Sequence, residues 1–166
     1  MKLQRFLVLL IMVTFIACRN EAEQEAEQVD STNVAAETSQ EVKTVPYNVE
    51  LDEKTQALNI VKSNESVEGA SAADIVSALN RKHSGIKLDL VKAGNDTVFV
   101  KIDDANKLTQ GMGSTGAESY LAELTFSLTE IKGIKAVNIN FQEGDHAMPG
   151  VYTRNDFKDL IPAKEK

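Results

Sequence analysis

Residues 108–141 constrain the fold more than any other part of this 166-residue chain. They begin with a glycine-rich loop at 111–116, continue as an apolar run at helical spacing, and end in a strand-like alternation. Thr115 and Glu118 have the spacing of a capping box, so Glu118 is interpreted as a helix cap rather than as a catalytic base. Gly133 is the predicted C-terminal stop of this helix. The residues predicted to share its buried face are Ala117, Leu121, Leu124, Leu128 and Ile131.

Two pairs of alternating runs before this segment predict β-hairpins. The first hairpin joins 47–51 to 57–61, and the second joins 86–91 to 97–103 through a turn at 92–96. Alternation places one face of each hairpin in a core and the other face in water. The residues expected on the buried sides are Val49, Leu51, Leu58 and Ile60 in the first hairpin and Ile86, Leu88, Leu90, Val98, Val100 and Ile102 in the second.

A further helix is predicted between the two hairpins, where Ser71 and Asp74 have capping-box spacing and Gly85 ends the pattern. Its apolar residues at helical spacing are Ala72, Ile75, Val76 and Leu79. The inward residues of the last predicted strand are Val137, Ile139 and Phe141, and the irregular tail beyond them is expected to pack along an edge. Since every strand has only one apolar face, we predict a two-layer α+β sandwich, with two main helices on one face of a mixed sheet.

The glycine-rich loop contains a literal G-x-G-x-x-G, the pattern of phosphate-binding loops. A dinucleotide-binding loop follows its strand immediately, whereas residues 104–110 separate this loop from the preceding predicted strand. No acidic residue ends a following strand at the distance that a ribose requires. We therefore interpret the glycines as structural, since they allow positive φ and close packing, and we predict no nucleotide and no cofactor.

The N-terminus has the pattern of a secretory signal. Lys2 and Arg5 precede an apolar run at 6–17 that is too short to span a bilayer as a helix. The run ends in Phe-Ile-Ala-Cys, which resembles the lipobox of bacterial lipoproteins and has the only cysteine, Cys18, at the lipidated position. The resemblance implies that residues 1–17 are a lipoprotein signal peptide and that Cys18 anchors the mature chain through acyl chains such as palmitate. The expected location is the cell envelope, at the outer membrane.

Residues 18–45 are rich in Glu, Gln, Ala, Ser and Thr and contain few large apolar groups. Such a segment cannot bury enough surface to offset chain entropy, so we predict a disordered acidic tether, followed by one folded domain at 46–166. The formal charge of −7 and the pI of about 4.9 argue against nucleic-acid binding and favour a neutral or basic partner. A single cysteine excludes internal disulfides and cysteine-based zinc sites.

Several segments of the domain together resemble the GerMN domain of sporulation, germination and envelope proteins. They are the helix Ala-Ala-Asp-Ile-Val-Ser-Ala-Leu at 72–79, the strand at 98–103, the Gly-Ser step at 113–114 leading into Glu118 and a helix to 128–129, and Gly-Ile-Lys-Ala-Val at 133–137. The resemblance covers about residues 47–157. It implies a noncatalytic module, similar in topology to ring-building motifs of secretion assemblies, that binds another envelope protein or copies of itself. It brings no catalytic residues.

Isolated polar residues offer an enzymatic alternative. Asp103 and Asp104 end a predicted strand, but adjacent side chains of a strand point apart, and Asp104 is suited to capping a turn. His146 is interpreted as an exposed loop histidine, and Ser114 has neither an evident histidine partner nor a nucleophile elbow. We therefore predict no catalytic and no metal-binding residue. The alternative is a cell-wall hydrolase using surface carboxylates such as Asp103, Asp104 and Asp145, which a deep pocket joining them to His146 would favour.

Overall fold

The computed structural model describes residues 42–64 and 66–162. Cys18, the predicted signal peptide and nearly all of the predicted tether lie outside these residues. In chain order the elements are β1 Tyr47–Leu51, β2 Leu58–Lys62, α1 Ala72–Lys82, β3 Asp89–Gly94, β4 Thr97–Lys101, a π-helical turn Lys107–Gly111, α2 Gly113–Leu128, β5 Ala136–Asn140, β6 Gly150–Tyr152 and a 3₁₀ helix Arg154–Leu160. Over this part of the chain, no helix has the length and apolarity needed to cross a bilayer.

The strands form two sheets rather than one. β3, β4, β5 and β6 are neighbours in that order, and the central β4–β5 pair is parallel while the outer pairs are antiparallel. The predicted α+β class with a mixed sheet is therefore confirmed. The structure differs from the predicted single sheet in the first hairpin. Its strands β1 and β2 pair only with each other, and they pack against α2.

The second hairpin turns more tightly than its sequence predicts. β3 continues through Gly94, and the turn consists of Asn95 and Asp96 instead of residues 92–96. Asn95 has a φ of +57°, a conformation that asparagine tolerates better than most residues. The ladder shifts register between Leu90 and Lys92, which places a β-bulge in the edge strand.

Helix α1 follows its sequence pattern closely. The Ser71 backbone N–H donates to Asp74 Oδ2 at 2.9 Å, and the Asp74 N–H donates to Ser71 Oγ at 3.3 Å, which confirms the capping box. All four residues predicted for the apolar face are buried, namely Ala72, Ile75, Val76 and Leu79. The helix ends at Lys82, before Gly85.

Helix α2 begins earlier than its predicted capping box, and it ends before Ile131 and Gly133, close to the 128–129 end implied by the resemblance. It begins at Gly113, Met112 is its N-cap, and no side chain caps it, so the predicted box of Thr115 and Glu118 is wrong. The π-helical turn leads almost directly into α2, which explains the early start. The helix ends at Leu128, and Gly133, with a φ of +91°, lies in the turn that leads into β5.

Helix α2 is buried on all sides along its second half. Every residue from Leu121 to Leu128 is buried, because β5 lies against one side of the helix while β1, β2 and α1 pack on others. Glu123 is only 3% exposed, and its carboxylate accepts hydrogen bonds from Lys82 Nζ at 2.7 Å and contacts His83 Nε2 at 2.8 Å. The prediction of a single buried face is therefore incomplete, since polar positions of α2 also lie in the interior.

The remaining strand predictions have mixed outcomes. The inward residues of the second hairpin and of β5 are buried, apart from half-buried Leu90, but Leu51 is 53% exposed at the end of its hairpin, contrary to its prediction. The tail packs along an edge as expected, and its residues 150–152 form the unpredicted strand β6, which extends the sheet beyond β5.

Candidate functional site

The loop at 142–149 folds back onto the chain just before α2. The His146 N–H donates to the Thr109 carbonyl at 3.1 Å, and the Gly144 N–H donates to the Ala147 carbonyl at 3.2 Å. Gly144 lies so near Thr109 that a β-carbon at residue 144 would be 2.6 Å from Thr109 Cβ. This close approach requires glycine, and it brings His146 to the first turn of α2.

Ser114 and His146 are in direct contact, 32 residues apart in the chain. Ser114 Oγ lies 3.1 Å from His146 Nδ1, so the expectation that Ser114 lacks a histidine partner is wrong. Among the hydrogen bonds of the described residues, none joins His146 Nε2 to a carboxylate. Ser114 lies in the first turn of α2 rather than in a strand-to-helix elbow, so the pair lacks both features that activate a hydrolase serine.

A cleft of about 460 Å³ lies beside this pair. Its lining combines His146 and three carboxylates with apolar side chains. The carboxylates are those of Glu118, Glu143 and Asp145, and the apolar side chains include Leu121, Tyr152 and Phe157. The Tyr152 and Phe157 rings stack with a centroid separation of 5.8 Å. The sequence spacing of Glu118 predicts that it caps α2. In the structure it lines the cleft instead.

Asp103 and Asp104 lie in a separate recess of about 330 Å³. Asp103 pairs with Lys101 at 2.8 Å, and Asp104 Oδ1 accepts the Asn106 N–H at 3.1 Å, which is the turn-capping role expected of it. No group of three or more His, Cys, Asp or Glu side chains within 42–64 and 66–162 has the arrangement of a metal site. Of the carboxylates considered for hydrolysis, Asp103 and Asp104 therefore lie away from His146, whereas Asp145 lines the same cleft as His146 without a hydrogen bond to its ring among the described residues.

The glycine-rich loop is divided between two elements. Gly111 ends the π-helical turn, whereas Gly113 begins α2 with a φ of +69°. A positive φ at Gly113 is what the structural interpretation of the loop predicts. At Gly116 a β-carbon would lie 3.1 Å from the Met112 side chain, so this glycine allows close packing within the loop.

The four-stranded sheet leaves one face uncovered among the described residues. Val98, Val100, Val137 and Ile139 are buried on the helix side. A row in register crosses the opposite face, and its residues are Lys92, Phe99, Asn138 and Val151. Lys92 Nζ lies 4.6 Å from the centroid of the Phe99 ring. We call this surface the open face.

The large exposed apolar side chains of the described residues lie on three surfaces. Val91 and Val151 on the open face are 57% and 59% exposed, and Val91 lines a shallow recess of about 380 Å³ together with Phe99. Met148, which is 60% exposed, lines the cleft. Leu51, in the separate hairpin, is the fourth large exposed hydrophobic side chain of the described residues.

A polar cluster joins the first hairpin to the C-terminal 3₁₀ helix. Arg154 Nη2 donates to Glu130 Oε2 at 2.6 Å, and Lys62 and Tyr47 also donate to the Glu130 carboxylate. Burial raises the pKa of Glu130, but the hydrogen bonds from its three donors outweigh this effect, so the pKa lies below that of an ordinary glutamate. No local sequence pattern indicates this cluster, since 107 residues separate Tyr47 from Arg154.

Comparison of the chain with protein-family models, with curated proteins and with solved structures finds no match. The resemblance to GerMN domains therefore stays a prediction from the sequence. The function has to be inferred from the residues of the cleft, the open face and the N-terminal motif.

Proposed function

We propose that the chain is a lipid-anchored protein of the bacterial cell envelope whose domain binds another envelope protein without catalysing a reaction. The observation that carries the binding role is the open face, where Val91, Phe99 and Val151 present apolar surface to solvent. Exposed apolar patches on folded domains commonly mark interaction sites. The resemblance to GerMN domains supports the same role.

The chemistry of the open face defines the surface that would fit it. Lys92 and Lys101 flank the apolar side chains, and Asp89 is the register partner of Lys101. Since Lys101 is paired with Asp103, an apolar patch bordered by a carboxylate on the partner would cover the valines and pair with Lys92. The expected partner surface is therefore neutral or acidic here, although the charge of the whole chain favours a neutral or basic partner.

The test of binding is pull-down from chemically crosslinked cells with the full chain as bait. Val151→Glu puts a carboxylate on the open face, and Leu51→Glu makes the same change at a similarly exposed leucine of the other sheet. We expect one partner band with the wild type and with Leu51→Glu, and loss of that band with Val151→Glu. Equal recovery by all three chains contradicts the proposal, and a band of the chain's own mass identifies a second copy as the partner.

The anchor is tested separately by palmitate labelling of growing cells. Cys18 is the only cysteine, so Cys18→Ala removes the single candidate site for lipid attachment. We expect radiolabelled palmitate in the wild-type chain and none in Cys18→Ala. An unlabelled wild-type chain contradicts the anchor without affecting the proposal for the open face.

The alternative is an envelope hydrolase, which one observation favours: the contact of 3.1 Å between Ser114 Oγ and His146 Nδ1. Asp103 and Asp104 line another recess, and Asp145 lines the cleft with His146, but no carboxylate within the described residues hydrogen-bonds to the His146 ring. Zymography of the purified chain on cell-wall material decides between the two functions. Clearing that disappears in Ser114→Ala supports the hydrolase, and absence of clearing by the wild type supports the binding module.

A further inference from the structure

The cleft and the open face lie on opposite sides of the sheet. Tyr152 is the register partner of buried Val137 and lines the cleft, whereas the preceding residue, Val151, belongs to the open face. Successive residues of a strand point to opposite sides, so β6 contributes to both surfaces. The cleft is therefore a surface separate from the open face, and its lining has to be considered by itself.

The floor of the cleft is apolar and firmly held. Leu121 and Phe157 are buried at the base, and the Tyr152 ring stacks on Phe157 with an interplanar angle of 19°. Met148 stands exposed at the margin, and its flexible thioether can adapt to an apolar side chain of varied shape. A volume of about 460 Å³ is at the lower end of ligand sites and accommodates a few side chains.

The rim of the cleft carries negative charge that the domain does not neutralise. Glu118, Glu143 and Asp145 line it together with His146, and none of the three carboxylates belongs to an ion pair within the described residues. By contrast, Glu123 and Glu130 are paired with cations elsewhere in the domain. The rim therefore favours positively charged groups on the ligand, and the floor favours an apolar group on the same ligand.

We propose that this cleft binds a basic amphipathic segment of another protein, with an apolar side chain on the floor and Arg or Lys side chains at the carboxylate rim. Guanidinium groups pair with carboxylates in a planar, bidentate geometry, and they also bind the faces of aromatic rings such as Tyr152. Anionic ligands are repelled by the same rim. The apolar floor beside the carboxylates favours an organic cation with an apolar part over a simple inorganic cation.

The test is fluorescence anisotropy of the full chain with a labelled peptide of alternating Arg and Leu. Glu118→Gln with Glu143→Gln removes two rim charges, and Glu50→Gln with Glu53→Gln removes two exposed charges in and beside the first hairpin. We expect the rim variant to weaken binding about fivefold to tenfold and the hairpin variant to change it by less than about twofold. Circular dichroism of each variant verifies that the fold is retained.

The two halves of the proposal have their own controls. A Glu-Leu peptide of equal length tests the charge, and an Arg-Gly peptide tests the apolar floor, as does Met148→Ser. We expect weaker binding in each of these three cases. Absence of binding by the Arg-Leu peptide, equal losses in the rim and hairpin variants, or equal binding of the Arg-Gly peptide overturns the proposal.

Discussion

Arg154→Ala tests how the C-terminal part of the domain is held in place. The guanidinium donates to Glu130 Oε2 at 2.6 Å, to the Phe126 carbonyl at 3.1 Å and to Thr129 Oγ1 at 2.8 Å. The central carbon of the guanidinium, Cζ, lies 5.1 Å from the centroid of the Tyr47 ring and 5.0 Å from that of the Phe126 ring. One side chain thus joins the first hairpin, the end of α2 and the start of the 3₁₀ helix.

The expected loss of stability follows from these contacts. The ion pair with Glu130 contributes about 0.5–1 kcal/mol, a low value because the Arg154 side chain is 37% exposed. The hydrogen bond to a carbonyl at a helix end contributes about 1 kcal/mol. Contact with the two rings adds about 0.5–1 kcal/mol. Arg154→Ala should therefore lower the free energy of unfolding by about 2–3 kcal/mol.

The matched control is Lys62→Ala, which removes another cation from the same carboxylate. The Lys62 side chain is 54% exposed and contacts no helix carbonyl, so we expect a loss of about 0.5 kcal/mol. Urea unfolding followed by far-ultraviolet circular dichroism measures both, since the chain has no tryptophan. Equal losses in Arg154→Ala and Lys62→Ala would refute the reasoning, because they would mean that only the charge matters.

Two further predictions concern the loop beside the cleft and the response to acid. Gly144→Ala should lower the free energy of unfolding by about 1–3 kcal/mol, because the new β-carbon would meet the Thr109 side chain. Gly94→Ala is the control, and it should be neutral or slightly stabilising because there is open space around residue 94. Equal shifts of the two variants in thermal melts would contradict this prediction. The pKa of Glu130 is lower in the folded chain than in the unfolded chain, so the ionised carboxylate stabilises the fold. This contribution to the free energy of unfolding is complete above the pKa of an unfolded glutamate and is lost as the pH falls through the folded pKa. The stability difference between the wild type and Glu130→Gln should therefore be larger at about pH 6 than at about pH 3, and a constant difference in urea unfolding would count against it.

Local patterns in the sequence predict local structure well in this chain. The Ser71 and Asp74 capping box forms as predicted because its two side chains are three residues apart on one turn. The alternation of Val98 and Val100 correctly gives the buried side of β4, since neighbouring residues of a strand point to opposite faces. The class of fold follows from such patterns.

Contacts between distant segments are what the sequence could not predict. The sequence pattern does not show that Glu123 is buried, because its partners Lys82 and His83 are 41 and 40 residues away, at the C-terminal end of α1. The contact between Ser114 and His146 depends on the loop position that Gly144 permits. β6 has only three residues, too few for an alternating pattern, so the cleft and part of the open face were invisible in the sequence.

The central claim is that the open face binds a protein in the envelope, and photo-crosslinking in living cells tests it most directly. The full chain would carry p-benzoylphenylalanine at residue 151, with residue 51 in the other sheet as the matched control. We predict a discrete crosslinked species from Val151→p-benzoylphenylalanine and none from Leu51→p-benzoylphenylalanine. Absence of any product from residue 151, or the same product from both residues, would contradict the claim.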